Sequence, residues 1–191
     1  MTEAYDPLNY QNLARSVVNA LLQNDPEPLP PAVRFEGSGV YAIYYTGSLT
    51  FYAHISSPDF NRPVYVGKAI PSGGRKGDPK GDASSAALYR RLHDHAISIE
   101  QAENLNLDDF RCRYLVVMPV WITLAERFLV GHFKPVWNTI VDGFGNHDPG
   151  AGRKDMRRPR WDIVHPGRPW AKKLRAAESR EEIVRLIQAG S

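Results

Sequence analysis

Residues 39–45, Gly-Val-Tyr-Ala-Ile-Tyr-Tyr, and residues 63–69, Pro-Val-Tyr-Val-Gly-Lys-Ala, decide how this chain is read. Both runs are rich in β-branched and aromatic residues and read as strands. Each sets a tyrosine beside valine and glycine, as Gly39-Val40-Tyr41 and as Tyr65-Val66-Gly67. A glycine weakens a strand interior, so two of them beside phenols suggest places where backbone and side chain pack closely.

Working outward, residues 50–55 (Thr-Phe-Tyr-Ala-His-Ile) predict a strand that pairs with 40–45 across a Thr-Gly-Ser-Leu turn. Residues 70–85 form a Gly-rich, Lys-bearing loop with no apolar periodicity. A helix is expected to follow from caps at Ser84 or Ser85, with Leu88, Leu92, Ala96 and Ile99 as its apolar stripe. Residues 110–121 read as a buried strand, and 123–133 as a helix that stops before Pro135.

Upstream, Leu8, Leu13, Val17, Val18, Leu21 and Leu22 recur at helical spacing until a proline-rich connector at 24–33. Downstream of 143 the chain reads as loop, with a last short helix near Ser179–Gln188. The pattern implies an α+β fold: a small, mostly antiparallel three-stranded sheet flanked by helices. It divides into an N-terminal helical arm (1–36), a core (37–140) and a basic C-terminal extension (141–191). The arm is expected to pack on its own domain or to reach a second subunit.

The 191 residues are 42% hydrophobic and 24% charged, which suits a globular protein. The start of the chain lacks a secretory pattern, and the longest apolar run, 114–122, is too short for a bilayer, so a cytoplasmic protein without a membrane partner is expected. Cys112 is the only cysteine, which excludes an internal disulfide framework and a thiolate zinc cluster. The net charge of +3 is unevenly spread: residues 151–191 hold 11 Lys/Arg against 5 Asp/Glu, leaving 13 against 16 elsewhere. A basic end suits a polyanion, with nucleic acid the first candidate.

Arg91 and His95 stand at i and i+4 and share a helix face. Taken alone, the pair is better explained by a solvated helix face. Glu126 stands three residues after Thr123, the spacing of a capping box, and on pattern alone capping outweighs metal binding. The histidines of His93-Asp94-His95 and Gly145-Asn146-His147-Asp148 lack zinc or His-Asn-His spacing, and the glycine-rich loop lacks Walker spacing.

Taken in order, Gly39-Val40-Tyr41, Tyr65-Val66-Gly67, Arg91, His95, Glu126 and Asn138 resemble the motif set of the GIY-YIG nuclease superfamily, over roughly residues 37–140. Val40 and Val66 stand where the superfamily name has isoleucine, and the two triplets lie further apart than in its compact members. The arm, the loop at 72–82 and the tail are similar to its small Type II restriction endonucleases, and most of all to the branch that cuts CCGCGG.

The resemblance implies hydrolysis of double-stranded DNA by a homodimer, with one Mg²⁺ per active site, replaceable by Mn²⁺, and no small-molecule cofactor. Tyr41 would be the general base. An ordinary phenol, with a pKa of about 10, would need cationic neighbours such as Lys68 or His95 to favour its phenolate. Arg91 would grip the scissile phosphate, Tyr65 would orient water or phosphate, Glu126 would hold the metal and Asn138 would support the site. Arg75, Lys76 and Lys80 in one loop, and Arg153, Lys154, Arg157, Arg158 and Arg160 in the other, are the candidate DNA contacts. Two other readings stand beside this one: a structure-specific repair nuclease, and a DNA-binding module without cleavage.

Overall fold

Strand β2 (Gly39–Tyr45) is buried at all seven positions, so it must be covered on both faces. The computed structural model, which describes residues 6, 8–71, 85–148 and 156–190, shows how this is done. Strands β3 (Pro63–Ala69) and β4 (Phe110–Val116) flank β2, and both run antiparallel to it. A two-residue strand, β1 (Glu27–Pro28), pairs antiparallel with β4, giving the order β1-β4-β2-β3.

Alternation along β2 sorts its side chains between two layers of helices. Val40, Ala42 and Tyr44 join Val66 on one face, packed with Val18 and Leu21 of α1 (Tyr10–Leu22) and with Ile122, Ala125 and Leu129 of α3 (Ile122–Phe133). Tyr41, Ile43 and Tyr45 point the other way, into a core with Leu88, Leu92 and Ile99 of α2 (Ala87–Glu100). That core also takes Trp161 of α5 (Arg160–Val164) and Ile183 and Ile187 of α7 (Arg180–Ala189). The N-terminal helix therefore lies on its own domain, where Tyr10 meets Phe128 edge-on at 4.7 Å between ring centroids.

The α+β class and the apolar stripe of α2 are as the sequence implies, while several details differ. The strand read over 110–121 stops at Val116, no serine side chain caps α2, and the stretch after 143 read as loop holds two short helices, Arg160–Val164 and Pro169–Lys172. The sheet has four strands, not three, because the proline-rich connector supplies β1. Proline has no N–H to give to a ladder, which suits Pro28 to an edge strand. Residues 50–55 are not a strand: Thr50–Tyr52 form a 3-10 turn, and Phe51, Tyr52 and Ile55 are all buried. Apolar residues at i, i+1 and i+4 fit a helical turn, whereas a strand would send Phe51 and Tyr52 to opposite faces. Helix α3 begins at Ile122, and no side chain caps it.

Among the described residues no helix is long and apolar enough to cross a membrane.

Candidate active site

Strand β3 is an edge, and an edge strand carries backbone groups that need partners. Lys134 ends α3 in the left-handed conformation (φ 46°), Pro135 follows, and the chain turns into the short helix α4 (Val136–Thr139) beside that edge. There the Asn138 amide meets one residue of the strand twice. Its Oδ1 accepts from Val66 N at 2.8 Å and its Nδ2 donates to Val66 O at 2.8 Å. The backbone between Tyr65 and Gly67 is thus held from outside the sheet.

Tyr41 and Gly67 are directly opposed in the β2–β3 ladder. A Cβ on residue 67 would lie 2.3 Å from the Tyr41 hydroxyl and 2.5 Å from Cζ, so the phenol occupies the space that glycine leaves. The hydroxyl is 2.6 Å from Nε2 of His95. Both side chains are buried, at 0% and 1% exposure. Burial holds the Tyr41 phenol well above its ordinary pKa, and Tyr65 adds to this while Arg91 opposes it. Burial also pushes His95 well below the usual imidazole value, helped by Arg91, His147 and Arg168.

A neutral imidazole has one N–H and one acceptor nitrogen, and in the tautomer with the ring proton on Nδ1 the phenol O–H donates to Nε2. His95 is therefore not the cation expected beside Tyr41. Lys68 is not that cation either, because its ammonium pairs with Glu126 at 2.7 Å. Arg91 is the cation that acts on both phenols, and their influence, with that of Asp94, holds its own pKa above the ordinary arginine value against the effect of burial.

The Arg91 guanidinium is anchored from behind by a loop at 143–147. Its Nη2 donates to Gly145 O at 2.9 Å, and its Nη1 donates to Nε2 of His147. A Cβ on Gly145 would lie 2.8 Å from the Tyr65 hydroxyl and 3.0 Å from Arg91 Nη2, so a side chain there would have to displace the tips of both. Phe144 stacks on the His95 ring at 4.5 Å and 17°. Tyr65, half-buried, lies 5.3 Å from His95 and 6.2 Å from Tyr41 between ring centroids.

Glu126 reaches this group from the opposite helix layer. The capping box read from Thr123–Glu126 does not form, because α3 starts before Thr123 and the carboxylate turns to Lys68. Lys68 is paired with Val40 across the ladder, on the face that α3 covers. Glu126 is close enough to raise the pKa of both Tyr41 and Tyr65. Among the described residues no three His, Cys, Asp or Glu side chains form a metal cage. A single half-buried carboxylate suits a hard cation that completes its shell with water and phosphate oxygens. An open cleft of about 760 Å³ adjoins the site, walled by Lys68, Ile70, Tyr89, Arg90, Arg91 and His93.

The structure thus gathers Tyr41, Tyr65, Lys68, Arg91, His95, Glu126 and Asn138 around residues 65–68 of β3. The basic candidates fare differently. Arg160 spends its fork on Glu178 (2.7 and 2.6 Å) and on Ile140 O (3.0 Å). Arg158 donates to the carbonyls of Ala171 and Lys172. Both have structural duties, whereas Arg157 is exposed. Arg75, Lys76, Lys80, Arg153 and Lys154 lie outside the described residues.

Sequence reasoning missed Phe144, Gly145 and His147 as parts of the site. They belong to a loop with no periodicity, and only the glycine marked a close approach.

An antiparallel sheet whose tyrosines on two adjacent strands meet an Arg–His helix face and a carboxylate from the next helix defines a class of nuclease. Residues 33–189 match the family model described as the Eco29kI GIY-YIG domain, and the chain belongs to that family of restriction endonucleases. No curated protein matches the chain.

Proposed function

We propose that the chain is a Type II restriction endonuclease that hydrolyses double-stranded DNA at the GC-rich palindrome CCGCGG, as a Mg²⁺-dependent homodimer. The observation that carries this reading is the buried Tyr41–His95 hydrogen bond, with Arg91 and Glu126 in electrostatic reach of the same phenol.

Phosphodiester hydrolysis needs an activated water and relief of charge on the phosphate. A raised Tyr41 pKa argues against a standing phenolate. With the His95 ring proton on Nδ1 the hydrogen bond supplies another route: Tyr41 takes a proton from water as its own passes to Nε2, leaving a transient imidazolium and no stored phenolate. Arg91, already aimed by Gly145 O and His147, presents its remaining donor directions to a phosphate oxygen. Tyr65 positions the attacking water or the phosphate beside it. Glu126 would hold Mg²⁺, which supplies charge neutralisation at the phosphate and leaving oxygens when bound. Lys68 holds Glu126 in place and keeps two negative groups from meeting unscreened. Asn138 fixes the strand that carries Tyr65.

The test is to incubate the purified protein with long DNA of known sequence, with Mg²⁺ or with EDTA, and to map the ends. Discrete fragments ending at CCGCGG, only with metal, are expected. Cutting confined to branched or damaged DNA would move the assignment to repair, and tight binding without cutting would leave a DNA-binding module. In the same assay Glu126→Ala should abolish cleavage while DNA binding persists; an unchanged cleavage rate would remove Glu126 from the metal.

A further inference from the structure

Arg168 is almost fully buried, at 1% exposure, and it lies outside the strands and helices that carry the site residues, between α5 and the short helix α6 (Pro169–Lys172). A buried guanidinium is tolerable only when its charge is paired and its protons are all placed. Here every N–H has an acceptor. Nε and Nη2 pair with the two Asp162 oxygens at 2.7 and 2.5 Å. Nη1 donates to Phe144 O and Asn146 O, both at 3.0 Å, and the second Nη2 proton goes to Gly143 O at 2.9 Å. The Trp161 and Trp170 rings lie 4.5 and 4.8 Å from the guanidinium carbon.

Three of those acceptors are backbone carbonyls within one four-residue stretch, and that stretch is the loop behind the site. Phe144 leads to His95 through ring stacking, and Gly145 leads to Arg91 through its carbonyl. We propose that Arg168, held by Asp162, is a positioning residue that shapes the 143–146 loop so that Arg91 and His95 stand in working order. The inference rests on the nuclease reading for its catalytic meaning, but not for its geometry. A lysine carries the same charge with three donors and no planar fork, so it can keep at most three of these five hydrogen bonds.

The experiment compares wild type with Arg168→Lys. Circular dichroism establishes folding, a binding assay without metal gives the Kd for a CCGCGG duplex, and single-turnover cleavage gives the rate. Proton NMR of the His95 ring, whose signals carry the ring-current shift of Phe144, follows the loop without any need for activity. The expected result is a folded variant with Kd within about threefold, a His95 ring signal moved toward its unstacked position, and cleavage slowed on the order of 10²-fold, as for a misplaced reacting group. Unchanged cleavage with an unmoved His95 signal would overturn the inference. Should Arg168→Lys not fold, Asp162→Asn is judged by the same readouts; if neither folds, Arg168 is a folding residue only and the inference fails. A wild type that cuts no DNA would sink the nuclease reading, and the His95 signal alone would then decide whether Arg168 sets the loop.

Discussion

Gly67 is the residue on which the phenol rests. Its missing side chain leaves room for the Tyr41 hydroxyl, which a methyl group would approach to 2.3 Å. The atom in the way belongs to a rigid ring on a central strand, so relief requires moving Tyr41 off His95. Gly67→Ala is therefore expected to lower the cleavage rate by as much as Tyr41→Phe does, about 10²–10⁴-fold for loss of a general base. The double variant should be no slower than either single one; additive losses would show that the two positions act separately. A second Tyr–His pair shows that the residue types alone do not make a site. Trp137 Nε1 donates to Tyr52 at 2.7 Å, Tyr52 donates to His165 Nε2 at 2.8 Å, and His165 Nδ1 reaches Asn104 Oδ1 at 3.0 Å. That chain is closed at both ends and serves the core.

At the scale of elements, β3 is kept in register on its outer side by α4. Replacing Asn138 by Asp keeps the size but loses the donor to Val66 O and sets a carboxylate against that carbonyl. Loss of such a bond with a polar group left unmatched costs about 1–3 kcal/mol. Asn138→Asp should lower stability by that amount in urea unfolding and slow cleavage through Tyr65; wild-type stability would mean that the edge holds without the amide. Much at this scale was legible beforehand. The triplets placed β2 and β3, and the stripe from Leu88 to Ile99 placed α2, because periodicity follows from one-sided burial. What was not legible depended on tertiary partners. Nothing in Glu27-Pro28 announces a strand until β4 offers Cys112 and Arg111 as partners. Local spacing likewise assigned Glu126 to a cap, and only the approach of Lys68 from another strand decided the matter.

For the molecule as a whole, buried neutral histidines tie stability to pH. Burial brings the His165 pKa down to about 3, with a further push from Arg180, and burial lowers His95 in the same direction. In the unfolded chain each returns to an ordinary value of about 6.5. Between these limits the unfolded state binds the extra proton, so stability is complete above about pH 6.5 and falls on acidification toward pH 3. Each such histidine contributes a slope of about 1.4 kcal/mol per pH unit. Urea unfolding at pH 7, 6, 5 and 4 should show the decline, and His165→Gln should remove about one proton's worth of slope; a flat profile would contradict neutral burial.

The same large-scale view explains which site residues stayed hidden. Tyr41, Arg91 and Glu126 sit on regular elements whose spacing can be read, but the wall behind Arg91 is built by a loop and by α5 and α6, more than fifty residues further along. That order of construction matters during synthesis. The strands and helices that hold Tyr41, Arg91 and Glu126 leave the ribosome well before residue 168. A growing chain at that stage lacks the guanidinium that grips the carbonyls of Gly143, Phe144 and Asn146. The complete set of contacts around Arg91 therefore comes into being late in translation, and a chain cut short before residue 168 carries the recognisable residues without the wall that aims them.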